Sequence, residues 1–446
     1  MKELDTELLK KIQEQYDNLP YPQIPIERTS KDDKTLDSLF VHNLVTSYYL
    51  RYQKVVDTNG KVILDAGCGS GYKSLLLAEA NPGAKIVGID LSEPSVDFAR
   101  TRLAYHGFDN VEFHVMRLED VSTLGIKFDY VNCDEVLYLV PDPLECLKAL
   151  KSVLNEQGIL RGNFHSKFQR QNYYRAQSLF KMMGLMDNTP GDLEIELAIE
   201  IMKALQDGVQ LKQQVWTPDL ERLDQKEAIL VNLMLQGDRG FTIPQVFELL
   251  EATNLELISM VEWKRWELSA LFKDPDNLHP FLAMSLPEIS LKDGLHLFEL
   301  LHPINRLIDF WCGHPNMPKP QQHPQEWTDP QWDNAQIYLH PQLHHSTVKE
   351  KLERAIRQRK FLDLHQFINI PASAPVTINH TDAACLLPLW EDRQTFVDLV
   401  SRRQAICPVD PLTLQPISDA DARQHLKKLL IQLEIFLYIL LETEEL

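Results

Sequence analysis

The strongest chemical signal lies between Val62 and Gly71, which reads Val-Ile-Leu-Asp-Ala-Gly-Cys-Gly-Ser-Gly. An apolar start gives way to three glycines, Gly67, Gly69 and Gly71, with Asp65 two residues ahead of them. Without a Cβ, glycine lets backbone approach a ligand closely. A second carboxylate, Asp90, ends the next apolar run, Ile86–Ile89. A carboxylate there can accept both hydroxyls of a ribose. Together these features point to a nucleotide ligand. A dinucleotide site wants G-x-G-x-x-G with helix N-terminal amides on a pyrophosphate. Tyr72 stands where the third glycine of that pattern would fall. Asp65 would also repel a pyrophosphate. It suits a ligand carrying an ammonium and a sulfonium, and S-adenosylmethionine is such a ligand.

These residues need an edge of parallel strands to hold them. From Lys61 the pattern alternates short apolar runs with amphipathic helices. Lys61–Leu64, Ile86–Ile89, Val111–Val115, Phe128–Cys133 and Ile159–Phe164 read as strands. Ser74–Ala80, Glu93–Tyr105 and Leu144–Leu154, closed by Gly158, read as helices. Such alternation implies βαβ units and a doubly wound sheet. The rhythm breaks at Lys167–Arg239, read as a helical insertion with helices at Lys167–Leu185 and Leu193–Gln206. It resumes with a helix at Ile243–Thr253, an apolar run at Leu255–Val261, a helix at Leu291–Leu301 and a last strand at Leu307–Cys312. Upstream, helical patterns cover Glu3–Tyr16 and Thr35–Gln53, joined through Leu19-Pro20-Tyr21-Pro22. Five prolines between Pro315 and Pro330 mark a semi-rigid spacer. Helices are expected beyond it at Val348–Lys360, Ala383–Trp390, Thr395–Arg402 and Asp419–Leu441, the last capped by Ser418. The expected division is 1–60 as an N-terminal cap and loop, 61–315 as the α/β domain with its insertion at 167–239, 316–340 as linker, and 341–446 as a small α-helical domain.

In its ordered motifs the chain resembles the class I S-adenosylmethionine-dependent methyltransferases, clearly over Lys61–Gly162. The resemblance implies a Rossmann-like seven-stranded methyltransferase sheet and S-adenosylmethionine as cofactor. It implies that Asp65, Gly67, Gly69 and Gly71 line the methionine portion and that Asp90 holds the ribose. Glu119 and Leu118 follow the third strand, in the region that borders adenine. Cys68, Leu91 and Cys133 complete the implied cofactor contacts. Asp129 opens the fourth strand, and Pro141-Asp142-Pro143 starts the next helix, as is common in the family. Two other readings remain: a dinucleotide enzyme, or a Rossmann-like domain without its ligand. A further resemblance rests on Tyr16-Asp17-Asn18-Leu19-Pro20-Tyr21-Pro22 and on Thr381–Trp390. Both are similar to a bacterial methyltransferase group that includes protein-lysine methyltransferases and carries a C-terminal domain of winged-helix-like type.

Methyl transfer is an in-line displacement at a sulfonium, and alignment alone can supply ~7–11 kcal/mol. His165, at the end of the fifth strand, is the candidate base, since an ordinary histidine titrates near pH ~6.5. Its alternative is a histidine bonded to backbone. Tyr138 and Glu135 follow the fourth strand and could orient an amine or hydroxyl. Tyr21 could close over the cofactor, or simply form a turn between two prolines. Arg170 and Arg175 could hold an acidic substrate group, although a solvated helix face explains them as well. His340, His344, His345, Cys312 and His314 lack zinc spacing, so no metal is expected.

Composition narrows the partners. The 446 residues carry 45 − 64 = −19 formal charges. That balance disfavours nucleic acids and anionic lipids. Six cysteines without a C-x-x-C pair suggest reduced thiols and a cytoplasmic setting. No signal-peptide pattern and no run of ~18 apolar residues is seen, so no membrane association is expected. The expectation is methyl transfer from S-adenosylmethionine to an N or O nucleophile, most simply of a small molecule. The alternatives are a protein lysine and a non-catalytic S-adenosylmethionine-binding protein. The C-terminal domain would serve substrate choice or homodimerisation.

Overall fold

The computed structural model of the chain describes residues 2–18, 20–217, 220, 225–318, 320, 322–371, 376–410 and 412–443. Leu19 of the N-terminal loop lies outside them. The chain forms two compact units. One comprises Met1–Arg28, Val62–Leu75 and Lys85–Pro315; the other comprises Thr29–Lys61, Leu76–Ala84 and Asn316–Leu446.

The first unit is built on β1 (Val62–Ala66), β2 (Lys85–Asp90), β3 (Val111–Val115), β4 (Phe128–Cys133), β5 (Leu154–Ser166), β6 (Gly240–Phe241), β7 (Glu256–Met260) and β8 (Leu307–Gly313). They form one sheet in the order β3-β2-β1-β4-β5-β8-β7, with β6 beside β5. The strands from β3 to β5 are parallel, and β8 runs antiparallel to both β5 and β7. Order reverses at β1/β4, the switch point where such sheets bind ligands at their carboxyl ends. Ile63, Leu64, Ile86, Val87, Ile89 and Val131 are wholly buried, because helices on both faces leave central parallel strands no wet side. Asp129 at the start of β4 accepts from the Val62 amide at 2.9 Å and ties the two strands in register. Asp142 caps the helix Pro143–Ser152 by accepting from the Glu145 amide at 3.0 Å.

Among the described residues, the insertion holds the helices Gln171–Met182, Asp192–Ala204, Gln210–Val215 and Lys226–Leu233. They enclose their own apolar cluster, which includes Phe180, Ile195, Ile199, Met202 and Trp216. β5 begins at Leu154, earlier than the expected Ile159, so Gly158 lies inside a strand instead of closing a helix. Its Cβ would stand 2.8 Å from the Leu154 side chain, which explains a glycine there.

The second unit contains helices Asp37–His42 and Leu44–Tyr52 in place of the single helical stretch expected over Thr35–Gln53. Asn43 divides them: its backbone is extended and its Oδ1 accepts from the Val45 amide at 2.8 Å, starting a new helix. Strand β9 (Gln336–Leu339) falls within the stretch expected as a linker. Short strands β10 (Leu362–Asp363) and β11 (Thr377–Ile378) pair with each other, while β12 (Gln394–Thr395) and β13 (Ile439–Glu442) flank β9. The helices Ser346–Gln358, His380–Leu386, Phe396–Ile406 and Asp419–Glu434 surround them. The last expected helix therefore stops at Glu434 instead of Leu441. Leu437 takes a left-handed φ of 53°, and Ile439–Glu442 pairs antiparallel with β9. A short apolar run is compatible with helix or strand, and the waiting edge of β9 decides it. His340 is wholly buried here; its Nε2 lies 3.0 Å from Thr46 Oγ1, and burial pushes its pKa down to about 3. Cys312 is buried in the sheet of the first unit.

Candidate active site

A cavity of about 310 Å³ opens at the carboxyl ends of β1, β2 and β4. Its wall includes Gly67, Cys68, Gly69, Asp90, Leu91, Leu118, Asp134, Glu135, Tyr16 and Tyr21. Gly67, Gly69 and Gly71 have φ of 83°, 50° and 78°, a region that L side chains avoid. A Cβ on Gly67 would stand 2.3 Å from Val136 Cγ2, and one on Gly69 would stand 2.3 Å from the Tyr21 carbonyl oxygen. Gly71 does not line the cavity. It lets the loop meet the helix Glu93–Tyr105, where a Cβ would lie 2.6 Å from Ala99 Cα.

Asp90 is held by backbone amides, accepting from Gly69 N and Ser92 N at 2.9 Å each. Burial pushes its pKa up, and these amides oppose the rise. Asp65 is placed differently from the expectation. It is 1% exposed and absent from the cavity wall. Ser74 Oγ donates to its Oδ2 at 2.6 Å and Asn132 Nδ2 to its Oδ1 at 2.9 Å. Burial raises its pKa to about 6. Cys133 is also corrected: it points into the sheet core, and strand alternation turns the next residue, Asp134, to the cavity instead. Leu118 and Leu91 are apolar wall, whereas Glu119 pairs with Arg117 at 3.1 Å, away from the wall.

The N-terminal loop is fastened to the glycine loop. Ser70 N donates to the Tyr21 carbonyl at 2.9 Å, and Ser70 Oγ to the Pro22 carbonyl at 2.7 Å. The wholly buried Arg102 donates to the carbonyls of Ile24, Pro25 and Ser70. Tyr21 is thereby brought beside Tyr16, with ring centroids 6.4 Å apart. Burial, with Glu135 nearby, raises the Tyr21 hydroxyl to about 12, so it stays a donor at neutral pH.

His165, expected as a base, is sealed away. It is 1% exposed, with Tyr138 stacked on it at 3.6 Å. Asp238 Oδ1 lies 2.7 Å from its Nδ1, and Arg306 Nη1 lies 3.2 Å from its Nε2. With Nδ1–H donating to Asp238 and Nε2 accepting from Arg306, both ring nitrogens are committed. That corrects its role from base to support. Arg306 also binds Glu135, at 2.7 and 3.3 Å, and the Tyr138 hydroxyl donates to Glu135 at 3.4 Å. Glu135 takes a left-handed φ of 62° and donates its amide to Asn163 Oδ1 at 2.8 Å. This is strained backbone at the cavity wall, held by its neighbours. Arg170 and Arg175, expected to meet substrate, do not line the cavity. Arg170 is buried and paired with Asp238 at 3.1 Å, while Arg175 is exposed and bonds Asn172. Asp238 and Arg306 carry no motif; Arg306 lies 171 residues from Glu135, so only the fold brings them together. Among the described residues, no group of three or more His, Cys, Asp or Glu could hold a metal, and no helix is long and apolar enough to cross a membrane.

Desolvation outweighs Asp238 and lowers the His165 pKa to about 4. The unfolded ring takes a proton near its ordinary value of about 6.5. The folded ring does so only near 4, so this contribution is complete above pH ~6.5 and is lost as pH falls toward 4. Between about pH 7 and about pH 5 the loss is expected to be roughly 2 kcal/mol. Urea unfolding of the wild type and His165→Gln at both pH values checks it. A wild type no more acid-sensitive than the variant would contradict it.

The strand order with antiparallel β8, the glycine loop after β1 and the carboxylate ending β2 define the class I S-adenosylmethionine-dependent methyltransferase fold. Residues 57–214 match the family described as a methyltransferase domain. An uncharacterized protein of Synechococcus is 28% identical over 282 residues, 60% of this chain. A ubiquinone biosynthesis O-methyltransferase of Actinobacillus pleuropneumoniae is 34% identical over 113 residues, 24% of this chain. The chain spans 62% and 47% of the lengths of these two relatives. The structure of PKMT2 from Rickettsia typhi superposes over 92% of this chain and 76% of its own, with a TM-score of 0.58 at 17% identity, a likeness of fold.

Proposed function

We propose that the chain binds S-adenosylmethionine in the cavity at the β1/β4 switch point and transfers its methyl group to an N or O nucleophile of a small molecule. The observation that carries this reading is the glycine cradle beside Asp90: a Cβ on Gly67 or Gly69 would clash within 2.3 Å, and Asp90 stands on the same wall. Asp90 would accept from the ribose hydroxyls, and Leu91 and Leu118 would flank the adenine. The ligand supplies an electrophilic sulfonium methyl. The protein supplies alignment, worth ~7–11 kcal/mol in a well-oriented pair. The Tyr21 hydroxyl and Glu135, both on the cavity wall, would orient the acceptor.

Charge supports the small-molecule reading. Glu135, the carboxylate on the cavity wall beside the acceptor's place, already has a cation, Arg306 at 2.7 Å. A lysine ammonium would find that charge neutralised, whereas a neutral or anionic acceptor would not. The reading of a protein lysine acceptor rests on the N-terminal loop around Tyr21. Radiolabelled methyl transfer into a cell extract, divided into protein and small-molecule fractions, separates the two. Label is expected in the small-molecule fraction. Calorimetric titration with S-adenosylmethionine tests the cofactor. Asp90→Ala is expected to weaken binding about 10²-fold, as two charge-assisted hydrogen bonds are lost. Undiminished binding would remove the ribose assignment, and no binding to the wild type would remove the cofactor.

A further inference from the structure

Resting on that reading, one end of the ligand still lacks a partner. The methionine portion carries an ammonium and a carboxylate at neutral pH. Asp65, the acidic residue ahead of the glycines, is withdrawn from the cavity with both oxygens bonded inside the protein. Burying a zwitterion unpaired is costly, and a pair of opposite charges on the wall would match it at both ends.

The cavity wall holds such a pair. Lys73, in the first turn of the helix Tyr72–Ala80, lies 2.8 Å from Asp134 through Nζ and Oδ2. Both residues line the cavity together with Gly67 and Gly69. Asp134 is fixed from behind: Asn163 Nδ2 donates to its Oδ1 at 2.6 Å, and Arg161 Nη1 stands 3.7 Å from its Oδ2. Arg161 is itself anchored by Asp309 at 2.7 Å. Lys73 is the adjustable partner, with a side chain 36% exposed against 3% for Asp134. An ammonium has three donors on a flexible stem and can serve a second carboxylate beside the first.

We propose that Lys73 and Asp134 form a clamp for the amino-acid end of S-adenosylmethionine, Lys73 taking the carboxylate and Asp134 the ammonium.

Decarboxylated S-adenosylmethionine keeps the adenosine, sulfonium and ammonium and lacks the carboxylate, so it isolates the Lys73 contact. Calorimetric titrations with both compounds compare wild type, Lys73→Met, Lys73→Arg, Asp134→Asn and Asp65→Asn. Lys73→Met is expected to lose about tenfold or more for S-adenosylmethionine and to bind the decarboxylated compound within about twofold of wild type. Lys73→Arg restores most of the loss. Asp134→Asn weakens both compounds, and Asp65→Asn keeps S-adenosylmethionine within about threefold. Lys73→Met weakening both compounds equally, or neither, overturns the clamp. So does a loss in Asp65→Asn as large as that in Asp134→Asn. Should Asp134→Asn fail to fold, the Lys73 comparison decides alone. A wild type that binds neither compound overturns the cofactor reading itself, a result distinct from any of these.

Discussion

Replacing Asp238 by alanine is expected to cost about 3–5 kcal/mol of folding stability, the range for breaking a buried ion pair from one side. The Asp238 side chain is 0% exposed. It accepts from His165 Nδ1 at 2.7 Å, Gln177 Nε2 at 2.9 Å and Arg170 Nη2 at 3.1 Å. Without it, Arg170 is left as a buried cation beside Asn232 and the face of Tyr173. Neither supplies an opposite charge. The three donors come from the end of β5 and from the first helix of the insertion, so one carboxylate joins both to the return of the chain at 238. Asp238→Asn keeps an acceptor and loses the charge, and is expected to fall between wild type and alanine. Urea midpoints for the three proteins measure the effect. An alanine variant within about 1 kcal/mol of wild type would mean that Arg170 finds another partner.

Gly69→Ala is expected to lower the affinity for S-adenosylmethionine by about 10²-fold or more. The left-handed φ of 50° alone costs an alanine roughly 1–2 kcal/mol. The larger effect is steric. The new methyl would stand 2.3 Å from the Tyr21 carbonyl, which is backbone and cannot rotate aside. Relief requires the N-terminal loop to move, and that loop is held by Ser70 and by the three carbonyl contacts of Arg102. Tyr21 and the Gly69 amide on Asp90 would be displaced together. Gly125→Ala separates the two effects, since Gly125 has φ 64° and nothing within 4 Å of its added methyl. It should show the conformational cost and full ligand affinity. Equal binding losses in both variants would refute the steric account.

Much of this site was readable from residue types. Gly67, Gly69 and Asp90 each combine a rare backbone or charge requirement with a fixed place on a βαβ unit, so spacing places them where the cavity opens. Cys68, Leu91 and Leu118 follow from the same places. Reading failed where direction mattered. Asp65 and Cys133 lie on the expected strands, yet one bonds inward and the other packs in the core. His165 and Arg170 stand at and just after the end of the fifth strand, at the ligand-binding edge, where spacing leaves both a chemical and a structural role open. In the fold they satisfy each other through Asp238, a residue with no motif around it.

By itself the sequence determined the alternation of strands and helices, the glycine loop and the carboxylate ending β2, because each is set by local periodicity or local backbone demands. The tertiary structure alone decided which acidic groups face the cavity, and that Ile439–Glu442 becomes a strand on β9. It also decided that Arg306, distant in sequence, holds Glu135. These outcomes depend on long-range partners: a charge is buried or presented according to the cation the fold brings to it, and an apolar segment takes the form of the edge it meets.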